Sequence, residues 1–166
     1  MLFVALVVMA FLVITAFLLD IAGGLMLHHR LQSMADQGAD AGMNELSDFI
    51  VEKAKAREPN APDGTDPRTV LTDEDRQAIL VEGRARIEPV VREYIGKNPL
   101  PDAVVLQSKD VQFPVKQQVD CAEPDQQQVE LRVTLKATQP MLFEKIWNRA
   151  NTDLQASSWQ TMKLCP

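Results

Sequence analysis

Four groups of residues in this 166-residue chain have side chains able to do chemistry: the aspartates Asp63, Asp66, Asp73 and Asp75, the adjacent pair His28 and His29, the cysteines Cys121 and Cys165, and Asp20. Clustered carboxylates are calcium ligands when they alternate along a loop with a central Gly and a terminal Glu, and that register is absent here. A loop and a helix cap account for them, so no metal site is expected. Neighbouring histidines on a helix diverge by about 100°, so His28 and His29 cannot grip one ion together, and they fit the headgroup level of a membrane better. No Ser, Cys or Lys nucleophile stands in a recognisable motif, and neither a Gly-rich phosphate loop nor a catalytic pair of carboxylates occurs. Only two histidines exist, both before residue 30, so a triad in the later part of the chain lacks its base. The sequence therefore offers no catalytic, cofactor-binding or metal-binding residue, and the chain reads as something other than an enzyme.

Cys121 and Cys165 are too far apart in sequence for a zinc, haem or redox motif. A disulfide tying the C-terminus to a mid-domain loop is the reading that suits an oxidising compartment, and a pair of buried thiols the one that suits a reducing one. Asp20 closes an otherwise uncharged run. A carboxylate there either marks the membrane interface or, lying deeper at a cost of about 2–3 kcal/mol, has a partner.

The elements that carry these residues follow from charge and periodicity. The net charge is −6, the isoelectric point near 4.9 and 24% of residues are charged. Lys and Arg are scattered between acids, which excludes a basic nucleic-acid face. The run from Met1 to Leu19 has no charge at all. At about 1.5 Å per residue it crosses most of a hydrocarbon core of roughly 30 Å, and residues 1–27 form a transmembrane or filament-core segment. It lacks the basic start and the small-residue cleavage site of a secretory signal. An apolar start without flanking charge is instead expected of a chain whose basic leader has been removed. The only cationic flank, His28 to Arg30, would by the positive-inside rule put residues 28–166 in the cytoplasm, but a lost leader removes that signal.

Beyond the apolar run, Leu31, Ala35, Gly38, Gly42, Leu46 and Phe49 or Ile50 recur at three- and four-residue steps, so the helix continues to about residue 56. Ala35, Gly38 and Gly42 make a small-residue stripe that admits a close neighbour, either another subunit or the protein's own sheet. Gly23 and Gly24 weaken the apolar part and would let it bend. Pro59, Pro62, Gly64 and Pro67 predict a loop over Arg57 to Leu71. Thr72 with Asp75 forms a capping box for a second helix, with a stripe of Leu80, Gly83, Ile87, Val91 and Tyr94 up to Gly96 and a kink at Pro89. Val129 to Ala137 alternates strictly and is a half-buried antiparallel strand. Val104 to Leu106, Val111 to Val115 and Leu154 to Leu164 are expected as further strands, with a short amphipathic helix over Met141 to Trp147. The fold class is α+β: a long N-terminal helix, apolar in its first half, with a small antiparallel sheet domain.

Asp20, Leu31-Gln32, Ala35-Asp36 and Ala41-Gly42 resemble, in type and spacing, the N-terminal motif of the TadE/TadG-like proteins of Flp (tight adherence) pilus systems. The resemblance spans about Phe3 to Gly42 and extends to Pro140, Leu142 and Phe143 between two C-terminal strands. It implies a pilin-like protein of a type IV pilus-related machine. Such a protein sits in the inner membrane with an extracytoplasmic domain and then passes into, or helps to build, an extracellular filament. Its partners are then copies of itself or other pilins, joined through the N-terminal helix, together with the assembly machinery. Two departures stand out. Processed pilins carry Glu at the fifth mature position, where Ala5 stands here if Met1 is the mature start. The family's Arg and aromatic residues after the aspartate are replaced by Gly23, Gly24 and the histidines. With Ala5 in place, the Met1 amine of a neighbouring subunit could instead pair with Asp20, across an axial offset of roughly 28 Å. A permanently anchored accessory protein of a pilus or secretion machine is the alternative function, and a membrane-tethered enzyme the third.

Overall fold

The computed structural model describes residues 2–62, 64–116, 119–141 and 151–166. Helix α1 runs without interruption over Leu2–Arg57, 56 residues, or about 84 Å. Its downstream half buries Leu27, Leu31, Met34, Ala35, Ala39, Leu46, Phe49 and Ile50, a stripe that returns every three or four residues because that is the helix period. The loop after it is shorter than the Pro and Gly pattern implied. A one-turn helix α2, Pro67–Val70, interrupts it, with Asp66 as its N-cap and Pro67 in the first turn, where its missing N–H is no loss. Leu71, at its end, is buried.

Helix α3, Asp73–Gly96, starts on the expected capping box. Thr72 N–H donates to Asp75 Oδ2 at 3.0 Å and the Asp75 N–H donates to Thr72 Oγ1 at 3.3 Å. The helix continues through Pro89 to Gly96. Its core stripe ends on Ile95, not on Tyr94 as the pattern suggested; Tyr94 is 43% exposed and lies beneath the Lys97 ammonium. Either residue satisfies the helix period, and only the position of α1 selects between them.

Three antiparallel strands form one sheet in the order β1–β2–β3: β1 Val105–Gln112, β2 Gln128–Pro140 and β3 Asn151–Lys163. The two short strands expected at Val104–Leu106 and Val111–Val115 are a single strand. A register shift between Leu106 and Ser108 carries it across the polar middle, and such a bulge hides the alternation from a sequence reading. In β2 every alternate residue from Val129 to Ala137 is buried, as its pattern required. The helix expected over Met141 to Trp147 falls, beyond Met141, outside the described residues.

Helices α1 and α3 pack together, and α1 also lies against β2 and β3. A Cβ built on Gly42 would stand 2.7–2.9 Å from Leu131, Val91 and Ile87. Gly38 is looser, with Val91 at 3.3 Å and Ile95 at 3.4 Å. The Ala35, Gly38 and Gly42 stripe therefore serves the intramolecular contact with α3 and β2. Above it, Arg86 joins the helices through Glu52 at 2.6 Å and stacks 4.4 Å from the Phe49 ring centroid. Cys121, before β2, is bonded to Cys165, after β3, across 44 residues.

Candidate functional site: the bare half of α1 and the base of the domain

The region with an unmet physical requirement is the upstream half of α1. Among the described residues, sixteen of the twenty exposed large apolar side chains lie between Phe3 and Met26, with Phe3 79% and Phe11 69% exposed. Leaving this many in water costs, at about 1.5–3 kcal/mol per side chain, tens of kcal/mol. The helix is long and apolar enough to cross a membrane, and none of its most apolar stretch is buried against the domain. Apolar side chains face outward on every side there, so one flat partner does not cover it.

The folded domain clasps α1 where the bare half begins. On one side a groove of about 350 Å³ is lined by Phe17, Asp20, Ile21 and His28 of α1, by Gln139 and Pro140 at the end of β2, by Met141, and by Thr152 and Leu154 of β3. On the other side a groove of about 250 Å³ is lined by Gly23, Met26 and Arg30 and by Pro101, Ala103 and Pro140. The Arg30 guanidinium donates to the Pro99 carbonyl at 2.6 Å, fastening the loop that follows α3 to the helix. Gly23 has a packing reason: a Cβ there would meet Gln139 Nε2 at 3.0 Å, whereas nothing lies within 4 Å of one on Gly24.

Asp20 is partly covered, beside the groove that the end of the sheet makes with α1. Met1 lies outside the described residues, and Ala5 is exposed on the bare helix. His28 and His29 are exposed with ring centroids 6.3 Å apart and tilted by 57°, as their divergence on a helix requires. Asp66, Asp73 and Asp75 have structural work at helix starts. Two N–H groups of the Arg68 guanidinium donate to Asp66, at 2.8 Å and 2.6 Å, and hold its carboxyl down to about 2. Asp73 pairs with Arg76 at 2.7 Å. The Thr72 backbone N–H, then its hydroxyl, keep the Asp75 carboxyl below its ordinary value. Asp63 is outside the described residues, and no group of three metal-binding side chains occurs among those described.

The residues that carried the family resemblance have local explanations too. Leu31 and Ala35 are fully buried. Gln32 donates from Nε2 both to Asp36 at 3.0 Å and to the Ser157 carbonyl at 3.1 Å. It thereby satisfies an acceptor on β3, which among the described residues has no further strand beside it, and this is how a helix protects a sheet edge. Gln160 on β3 likewise donates to Asp40 at 2.7 Å. The clasp itself, made by Gln139, Pro140, Pro101 and Arg30, was not legible in the sequence; the nearest signal was the change from all-round apolarity to a stripe near Leu27. No family model, curated protein or solved structure matches the chain.

Proposed function

We propose that this protein is a membrane-inserted, pilin-like structural subunit, held in the bilayer by the upstream half of α1 and able to assemble through that same half into an extracellular filament of the tight-adherence, type IV-like kind. The observation that carries the reading is the continuity of α1. One uninterrupted helix has a half that is apolar on all faces and bare, and a half buried in a disulfide-bonded domain. Lipid and the shared core of a helical filament are both dry surroundings that suit the bare half. Head-to-tail contacts that do not close on themselves generate filaments. The disulfide fits a domain outside the cytoplasm, and the TadE/TadG-like register from Asp20 to Gly42 adds the pilus assignment. Shearing surface filaments from cells, imaging them by electron microscopy and identifying their peptides tests this. Filaments containing this chain are expected; sheared filaments without it, and the chain confined to the membrane fraction, would reject the subunit role.

A second reading is favoured by one observation, the clasp. The domain grips α1 as far upstream as Phe17 and Asp20, which shortens the helix free to pack with neighbours. In that reading the chain stays in the membrane as an accessory of the assembly machine. Its signature is full retention in the membrane fraction together with filaments that disappear when the protein is removed.

A further inference from the structure

The base of the domain and the end of the apolar run occupy the same height along α1, which bears on where the domain sits. Asp20 ends the uncharged run, and the length of that run, not the cost of the carboxylate, sets the outer edge of the apolar layer near its level. The stretch Phe3–Leu19 below it is about 26 Å long, close to a full hydrocarbon thickness. The end of the sheet does not stand clear of that edge. Pro140, Met141 and Leu154 line a groove with Phe17 and Asp20 on the lower side and His28 on the upper. Along the helix this reaches from about 5 Å below the Asp20 level to about 12 Å above it. On the opposite side of α1, Pro101 and Ala103 lie beside Met26, itself 76% exposed.

We infer that the domain is seated in the interfacial layer of the bilayer that holds α1, with the end of the sheet and the Pro101–Ala103 loop embedded at headgroup depth on either side of the helix. The inference rests on the membrane reading above and names what that reading leaves open, the partner of the domain's base. The chemistry of the base suits a lipid interface. Pro140, Met141 and Leu154 lie at the edge of the acyl chains, whereas Pro101, the exposed Asp102 and Ala103, beside Met26 about 9 Å higher, stand among the headgroups with His28, His29 and Arg30. The nearby Asp153 belongs to the other face of β3, where it accepts from Thr138 Oγ1 at 2.9 Å.

The test uses the full chain, with its disulfide left oxidised, reconstituted into phosphatidylcholine–phosphatidylglycerol vesicles. A polarity-sensitive dye is attached to one introduced cysteine at a time: Leu12→Cys within the apolar run, Ala103→Cys and Asn151→Cys at the base, and Val81→Cys on α3 as a distant exposed control. Ala103, Asn151 and Val81 are all exposed, so labelling disturbs no core contact. Lipids carrying a quencher near the headgroup should remove about half of the emission at both base positions, with a blue shift, and leave Val81 unchanged. Lipids quenched deep in the acyl chain should silence Leu12. Quenching at Leu12 with neither base label affected overturns the seating and leaves the membrane reading intact. One base label quenched without the other also overturns it, in favour of a domain tilted away on one side. No quenching at Leu12 overturns the membrane reading and this inference with it.

Discussion

The two halves of α1 share a helix but answer to different surroundings. From Phe3 to Met26 apolar side chains point in every direction and are exposed, whereas from Leu27 to Ala54 they form a stripe buried against α3 and the sheet. A helix apolar all round has to be enclosed, and a striped helix has only to be covered on one side. Backbone hydrogen bonding is the same in both, so periodicity alone separates an element that must be enclosed from one that need only be covered on one side. The glycines follow the same division. Gly42 is pressed between Leu131, Val91 and Ile87, while Gly24 has nothing within 4 Å.

If the halves have separate duties, damage to each should be separable. The largest effect is expected from the disulfide, which belongs to the domain alone. Closing a 44-residue separation contributes about 4 kcal/mol. Chemical denaturation in detergent, with and without reductant, should show that loss while the reduced protein still partitions into membranes. A double dissociation comes next. Leu46 is fully buried, so Leu46→Ala should lower domain stability by about 2–5 kcal/mol without altering membrane retention. Leu12→Arg should instead impair insertion by about 3 kcal/mol, read by alkaline extraction, with the domain still folded. Loss of folding in Leu12→Arg would break the comparison.

The glycines sharpen it further. Gly42→Ala puts a methyl where three side chains already stand and should cost about 1–3 kcal/mol. Gly24→Ala meets open space and should stabilise the helix by up to about 1 kcal/mol. Opposite signs in thermal unfolding are expected from the same substitution. The smallest effect is a pH dependence confined to the domain. Asp66, with its carboxyl lowered to about 2 by Arg68, and Asp75, lowered by Thr72, bind fewer protons folded than unfolded. Their contribution is therefore fully present above the ordinary carboxylate range near 4 and is lost as pH falls from there towards 2. Asp66 and Arg68 are each about a third exposed, so solvent screening keeps the effect below about 1 kcal/mol. Denaturation midpoints at pH 5 and pH 3 measure it, and Asp66→Asn should flatten the difference.

Several features were legible because their causes are local in the chain. The length of α1, the alternation of β2 and the Thr72–Asp75 capping box each depend on residues a few positions apart, whose geometry the helix or strand period fixes. The cysteine pairing had a single intramolecular solution once an oxidising compartment was assumed. What faces what was decided by tertiary structure. The small-residue stripe at Ala35, Gly38 and Gly42 fits a neighbour of either origin, and only the folded arrangement delivers Val91, Ile95 and Leu131 to it. β1 reads as two fragments because its bulge breaks the alternation, and β2 supplies the register that joins them. The clasp at Phe17 to Arg30 unites residues more than a hundred positions apart, from α1 to the end of β2 and the start of β3. A one-dimensional pattern records which faces are apolar; contacts between distant segments depend on how the chain closes its loops, and that is settled only when the whole core packs at once.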